Sequence, residues 1–159
     1  MRGMPAGMKI DLESAPIRTG SGYPAPFHEP CMQRRRVRLG AAAGLSQFGV
    51  NLLTLQPGTW SSQRHWHSRE DEFVYVVAGE VVLVTDEGET VLRAGDSAGF
   101  RHGVANGHHL QNRSNSEAVV LEVGSDDAAD ETDYPDIDML CRAEGFVRRD
   151  GTPYPSRDE

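Results

Sequence analysis

Apolar and polar residues alternate in short runs through the middle of the chain, and this alternation is typical of β-strands. The first run begins near Phe48 and is stopped by Pro57 and Gly58. Glycine, aspartate and asparagine then interrupt the sequence at short intervals, as they do at turns. The pattern predicts strands over residues 48–55, 72–78, 80–85, 89–93, 97–100, 108–112 and 118–123.

The region from 48 to 123 contains no apolar run with the period of a helix. A βαβ fold is therefore excluded, and short strands at close intervals predict an all-β domain closed into a sandwich or barrel. The chain has 159 residues, which is enough for one domain with a sizeable core.

The flanking segments differ from this region in composition. Residues 11–36 are interrupted by prolines and glycines, which predicts an extended arm without a stable element. Residues 125–138 carry seven carboxylates and no basic residue, which predicts a solvated surface segment. Aromatic residues further along favour a tail that packs on the core, with a short helix over 137–143. The expected division is an N-terminal arm over 1–36, a barrel over 37–124 and an acidic, aromatic C-terminal extension over 125–159.

The charge of the chain restricts the class of partner. Aspartate and glutamate total 24 against 16 lysine and arginine residues, a formal net charge of −8. Such a chain has no positive field for a phosphate backbone, so we expect no nucleic-acid partner and a small molecule as the ligand. The local run of Arg34, Arg35, Arg36 and Arg38 indicates a solvated strand face or ion-pair partners.

The sequence carries no clear targeting or disulfide signal. Gly3 and Pro5 interrupt the stretch where a signal peptide needs apolar residues, and no later run reaches membrane-spanning length. We therefore expect a cytoplasmic protein without a membrane partner. Cys31 and Cys141 are expected to be unpaired thiols, and the single lysine, Lys9, leaves no candidate for Schiff-base catalysis in the core.

The candidate chemistry begins with the histidine pair His65 and His67. Alternate strand residues point to the same face, so both imidazoles can reach one point inside a barrel. Glu72 opens the next predicted strand, and an antiparallel neighbour can bring its carboxylate to the same point. Two imidazoles and a carboxylate with open coordination positions suit divalent iron, manganese, nickel, cobalt or zinc.

Two stretches of the chain resemble the two sequence motifs of the cupin superfamily. The first, GTWSSQRHWHSREDEFVYVVAG, runs from Gly58 to Gly79 and has one more residue after Gly58 than the family pattern. The second begins at Gly95 and has Arg101 where the family pattern has proline. The histidine and asparagine of the pattern follow as His108 and Asn112, after a two-residue insertion. The resemblance covers about residues 48–123.

This resemblance implies a double-stranded β-helix, also called a jelly roll. It implies that His65, His67, Glu72 and His108 hold one divalent transition metal per subunit. Glu70 is the competing carboxylate, but Glu72 has the motif's spacing, so we expect Glu70 at the rim of the site. The most similar group is that of short single-domain cupins loosely called sugar-phosphate-isomerase-like.

His108 and His109 compete for the last ligand position, because successive strand residues point to opposite faces. His108 has the motif's spacing to Asn112 and is the expected ligand. His109 is expected to point outward or to bind the backbone. An insertion that bulges the strand would reverse this assignment.

Two functions are compatible with such a site. The first is a metal-dependent enzyme, of isomerase, epimerase or dioxygenase type, that acts on a small polar molecule in the barrel. The alternative is a non-catalytic, metal-dependent ligand-binding or regulatory module, because one fold supports many functions. A homodimer is also expected, since Phe73, Tyr75 and Val77 cannot all point into the same small barrel as Glu72.

Overall fold

The computed structural model describes residues 7–157 and shows an all-β chain with three antiparallel sheets. In this described part the only helices are a 3-10 helix over Glu29–Cys31 and the short α1, Leu39–Ala42. The strands are β1 Ile17–Thr19, β2 Arg34–Arg38, β3 Phe48–Leu55, β4 Trp66–His67, β5 Glu72–Ala78, β6 Glu80–Thr85, β7 Gly88–Arg93, β8 Ser97–Phe100, β9 His109–Gln111, β10 Ala118–Ser125, β11 Thr132–Tyr134, β12 Met139–Arg142 and β13 Gly145–Val147.

The core lies between a six-stranded and a three-stranded sheet. The larger sheet has the order β1-β2-β3-β10-β5-β8, and the smaller one has the order β7-β6-β9. Leu53, Val76 and Val120 of the first sheet are in one buried cluster with Val81 and Leu110 of the second. The crossovers and the shared interior make this a double-stranded β-helix, so the predicted all-β jelly roll is confirmed.

Most strands of the barrel lie where the alternation predicts them. Strands β5, β6 and β8 have the predicted bounds, β7 begins one residue earlier, and β10 extends to Ser125. The strand predicted over 108–112 is shorter, because His108 forms an isolated bridge with His65 and the ladder to β6 begins at His109.

The N-terminal segment contains regular structure that the sequence pattern did not predict. Strand β2 pairs with β3 along its whole length, and β1 pairs with β2 at the edge of the sheet. The prediction of an arm without stable elements was therefore wrong. Both strands are short and interrupted by arginine, so no apolar period is visible in them. Pairing with β3 stabilises β2, and pairing with β2 stabilises β1.

The C-terminal segment also differs from its prediction. The helix expected over 137–143 is wrong, because Met139–Arg142 is strand β12 between β11 and β13. The positive φ of Gly145, 117°, makes the tight turn that returns the chain as β13. Sheet pairing here overrides local helix preference, as tertiary context commonly does.

The arm and the C-terminal extension pack on each other. Tyr23 and Cys31 of the arm form a second buried cluster with Tyr134 and Met139 of the extension. Cys31 and Cys141 are both free thiols. Among residues 7–157, no helix has the length and apolar character required to cross a membrane.

The turn at Gly79, between β5 and β6, provides a test of the packing within the barrel. Gly79 has a φ of 78°, and a Cβ there would lie 2.6 Å from the backbone oxygen of Glu117. Gly58 has a similar φ, 82°, with nothing within 4 Å. We expect Gly58→Ala to lower the free energy of unfolding by about 1–2 kcal/mol through backbone strain alone, and Gly79→Ala to lower it further through the clash. Chemical unfolding of the two variants measures this difference, and equal losses would contradict it.

Candidate metal centre

One face of the six-stranded sheet lines the barrel, and it becomes polar toward one end. Val76 of β5 and Val120 of β10 are register partners and are fully buried. Alternate residues share a face, so Glu72 and Glu122, further along the same two strands, point into the same interior. The carboxylate of Glu72 therefore enters the barrel at its polar end.

Backbone pairing brings three histidines to this carboxylate. The backbone N–H groups of His65 and His108 each donate to the other residue's carbonyl oxygen, at 3.1 and 2.9 Å. His67 lies on β4, which pairs with β11. The ring centroid of His65 is 5.0 Å from that of His67 and 4.7 Å from that of His108.

Glu72 lies at the centre of this group. Its Oε1 is 3.2 Å from His67 Nε2, and its Oε2 is 3.4 Å from His65 Nε2 and 2.5 Å from His108 Nε2. The structure thus brings together the residues that the sequence analysis selected. His65, His67 and Glu72 each offer one potential ligand atom, and these atoms lie within 4.8 Å of one another. His108 joins them through its contact with Glu72.

The outer nitrogen atoms of two rings have partners that orient them. His65 Nδ1 is 2.8 Å from the carbonyl oxygen of Gln63, and His67 Nδ1 is 2.7 Å from Asp130 Oδ2. The His108 ring stacks on Phe100 with centroids 3.6 Å apart. When Nδ1 carries the ring proton and donates outward, the Nε2 lone pair is free to bind a metal in place of the Nε2–Glu72 contact, which is the usual arrangement of histidine ligands. The donor set therefore fits a divalent transition metal.

Charge in the group also favours a cation. Burial alone would raise the pKa of Glu72, but hydrogen bonds from His108, His65 and His67 hold it well below its usual range. Burial would lower the pKa of His67, but Glu72 and Asp130 raise it to about 9. Burial lowers the pKa of His108. The centre thus holds an ionised carboxylate, and His67 lies between two carboxylates that attract positive charge.

Asp130 is a site residue that the sequence analysis missed. Its Oδ2 contacts His67, and its Oδ1 accepts hydrogen bonds from the backbone N–H groups of Arg69 and Glu70 at 2.8 and 3.2 Å. The Asp130 side chain is only 8% exposed. The prediction of a solvated acidic segment was therefore wrong at this point. No sequence signal distinguishes Asp130 from the other carboxylates of the segment, and it is the pairing of β11 with β4 that places the segment beside His67.

Glu70 lies beside the centre rather than in it. Its Oε1 is 3.8 Å from His67 Nδ1, and its Oε2 accepts a hydrogen bond from the backbone of Asp127. Burial raises the pKa of Glu70. With His67 and Asp130 it forms a second group of potential ligand atoms, which shares His67 with the first.

His109 and Asn112 face other partners. His109 Nδ1 donates to the carbonyl oxygen of Ser62 at 2.8 Å, and its Nε2 accepts from Gln111 at 3.0 Å. The Asn112 side chain donates to the carbonyl oxygens of Leu55 and Ser116, so it holds a turn and does not line the cavity.

Two cavities meet at the centre. The larger one, about 660 Å³, extends from the histidines toward β2 and β3. The smaller one, about 240 Å³, lies on the side of the loop that contains Arg101 and Val104. His67, Glu72 and His108 line both cavities, so a small molecule in either one can contact the group.

Comparison with known proteins identifies the relatives of this chain. The family model of the cupin domain matches residues 51–124. The crystal structure of a sugar phosphate isomerase from a cupin superfamily, from Silicibacter pomeroyi, is 44% identical, with a TM-score of 0.87, and the match covers 96% of this chain and 99% of that one. A provisionally assigned sugar phosphate isomerase from Acidithiobacillus ferrooxidans is 28% identical, with a TM-score of 0.70 and 79% and 82% coverage. The polyketide cyclase RemF from Streptomyces resistomycificus, 16% identical with a TM-score of 0.59 and 75% and 79% coverage, shares the fold. No curated protein matches the sequence.

Proposed function

The chain belongs to the cupin superfamily, and from that premise we propose that it is a metal-dependent enzyme that isomerises or epimerises a small polar molecule. The observation that carries the proposal is the contact of Glu72 with three imidazole Nε2 atoms at the junction of two cavities. The name of the Silicibacter relative supports isomerase chemistry over the dioxygenase alternative.

In this proposal His65, His67, Glu72 and His108 hold one divalent ion of iron, manganese, zinc, nickel or cobalt. When bound, such an ion would polarise a carbonyl or hydroxyl oxygen and make the neighbouring C–H bond more acidic. The outward partners of His65 and His67 would orient these rings toward it.

The chain's own residues then position the substrate and move its proton. Glu70 lines both cavities, and it is a carboxylate near the centre that the proposed ligand set leaves free. We assign the proton transfer to Glu70 on this geometry. Phe100 also lines both cavities and excludes water from one side of the His108 ring.

The metal assignment can be tested with two neighbouring histidines. We expect protein purified without chelator to carry about one transition metal ion per subunit. His65→Ala, His67→Ala and His108→Ala should each lose most of it, because each removes a donor atom. His109→Ala is the matched control and should keep it, because its ring binds Ser62 and Gln111. Metal analysis of purified variants measures loading, and full loading of His65→Ala and His67→Ala would reject the site.

The reaction type can be tested by isotope exchange. We expect the metal-loaded protein to incorporate solvent deuterium beside the carbonyl carbon of an aldose or ketose, free or phosphorylated, because isomerisation removes and returns that proton. Chelation and Glu70→Gln should both suppress the exchange seen by NMR. Oxygen consumption without exchange would instead indicate a dioxygenase, and ligand binding with neither signal would indicate a non-catalytic module.

We also propose a homodimer that pairs through the outer face of the six-stranded sheet. Phe73, Tyr75 and Val77 are 42%, 40% and 48% exposed. Tyr75 is the register partner of Leu121, which in turn pairs with Leu52, so the outer face carries an apolar row across three strands. A contiguous exposed apolar face of this kind is typical of subunit contacts.

Light scattering tests this assembly directly. The wild-type chain should have the mass of a dimer at micromolar concentration. Tyr75→Glu should give a monomer, because it places a charge in the apolar row. Val91→Glu changes an equally exposed residue, 41%, on the other sheet and should remain dimeric. A monomeric wild type would refute the proposal.

A further inference from the structure

Arg34 is a buried cation without a compensating anion. Arg34 is only 8% exposed, and no carboxylate among residues 7–157 forms an ion pair with it. Its Nε donates to the carbonyl oxygen of Gly20 at 2.8 Å and its Nη1 to that of Ser61 at 2.5 Å, while the guanidinium lies 5.6 Å from the ring centroid of Tyr23. Carbonyl oxygens and a ring face supply no net negative charge.

The neighbouring charges do not correct this imbalance. Arg36 forms an ion pair with Glu122 and also donates to the Ser61 carbonyl oxygen at 3.1 Å. Asn51 donates to the same Glu122 oxygen. Glu122 therefore pairs with Arg36 and not with Arg34, so this region holds two buried or half-buried guanidinium groups beside a single paired carboxylate. The exposed Arg18 and Arg38 line the same cavity and add positive charge at its rim.

Burying an unpaired charge is strongly unfavourable unless a counter-charge is bound. We propose that this part of the cavity, the arginine end formed by Arg18, Arg34, Arg36 and Arg38, binds the phosphate group of a small phosphorylated substrate. The inference rests on the proposed function, because it places the reacting part of the same molecule at the Glu72 centre.

The spacing in the sheet agrees with one molecule reaching both ends. Arg36 contacts Glu122, which lies two residues along β10 from Gly124, the register partner of Glu72. Two residues of strand span about 7 Å. A chain of a few carbon atoms can therefore place a phosphate at the arginines and an oxygen at the imidazoles. A dianion fits better than a single carboxylate, because four guanidinium groups line this end of the cavity and together carry more positive charge than one carboxylate neutralises.

A purely structural role for Arg34 makes a different prediction. In that case Arg34 would serve only to tie Gly20 of the arm to Ser61, and its loss would change stability without changing anion affinity. Glu122 separates the two possibilities. Removing its charge while keeping its shape should free Arg36 and strengthen anion binding, an effect that loss of stability does not produce.

Calorimetric titration of inorganic phosphate into the metal-loaded protein tests the proposal. We expect Arg34→Gln to weaken phosphate binding by about tenfold or more, and Glu122→Gln to strengthen it. Arg35→Gln, an exposed neighbour on the same strand, is the control and should bind as the wild type does. Equal affinity of wild type and folded Arg34→Gln would overturn the proposal. If Arg34→Gln does not fold, unchanged or weaker binding by Glu122→Gln overturns it.

Repeating the titration after chelation separates this site from the metal centre. Phosphate binding that survives chelation supports the arginine end, and binding that disappears with the metal overturns it. Acetate binding tighter than phosphate would also overturn the phosphate assignment. Phosphate binding without deuterium exchange in any sugar would reject the isomerase while leaving the arginine end intact, so the two failures are distinguishable.

Discussion

A carboxylate inside a small barrel must meet positive charge, and Glu72 imposes this requirement on its surroundings. An isolated ionised carboxylate in an apolar interior would protonate or disrupt the fold. Glu72 instead remains ionised, because three imidazoles direct nitrogen atoms to its two oxygens. The polar end of the barrel is organised around that contact, and the apolar end supplies the rigid packing that holds it.

The parts of the chain that satisfy this requirement are far apart in sequence. The barrel supplies Glu72 and His108. The C-terminal extension holds His67 in position, because β11 pairs with β4 and Asp130 contacts the His67 ring. The cavity in front of the centre is closed by β2 of the arm. The barrel motif alone therefore describes the donor set but not the orientation of its rings or the shape of the cavity.

The predictability of each part follows from how its faces are buried. Strands β5 and β6 have one apolar face against the core, so alternation predicts their bounds. Strand β2 carries arginine on both faces, and a charge run gives no sign that Arg34 is buried while Arg35 is exposed. That difference comes from tertiary contacts with Gly20 and Ser61.

The same reasoning applies to the candidate site. Strand parity and spacing select His65, His67 and Glu72, because the side chains of alternate residues converge. Asp130 could not be selected in this way, since it lies in a run of carboxylates that looks uniform in sequence. Its role depends on a turn that presents its side chain to the backbone of Arg69 and Glu70.

The pairing of β4 with β11 has a consequence for the order of folding. The register partners His67 and Thr132 are 65 residues apart in sequence, and their side chains also contact each other. Contacts between such distant residues form slowly, because a long loop must close before any of its contacts stabilise it. During synthesis, His67 emerges well before the strand that holds it. The nascent barrel therefore carries an incompletely oriented donor group until the C-terminal extension has been made.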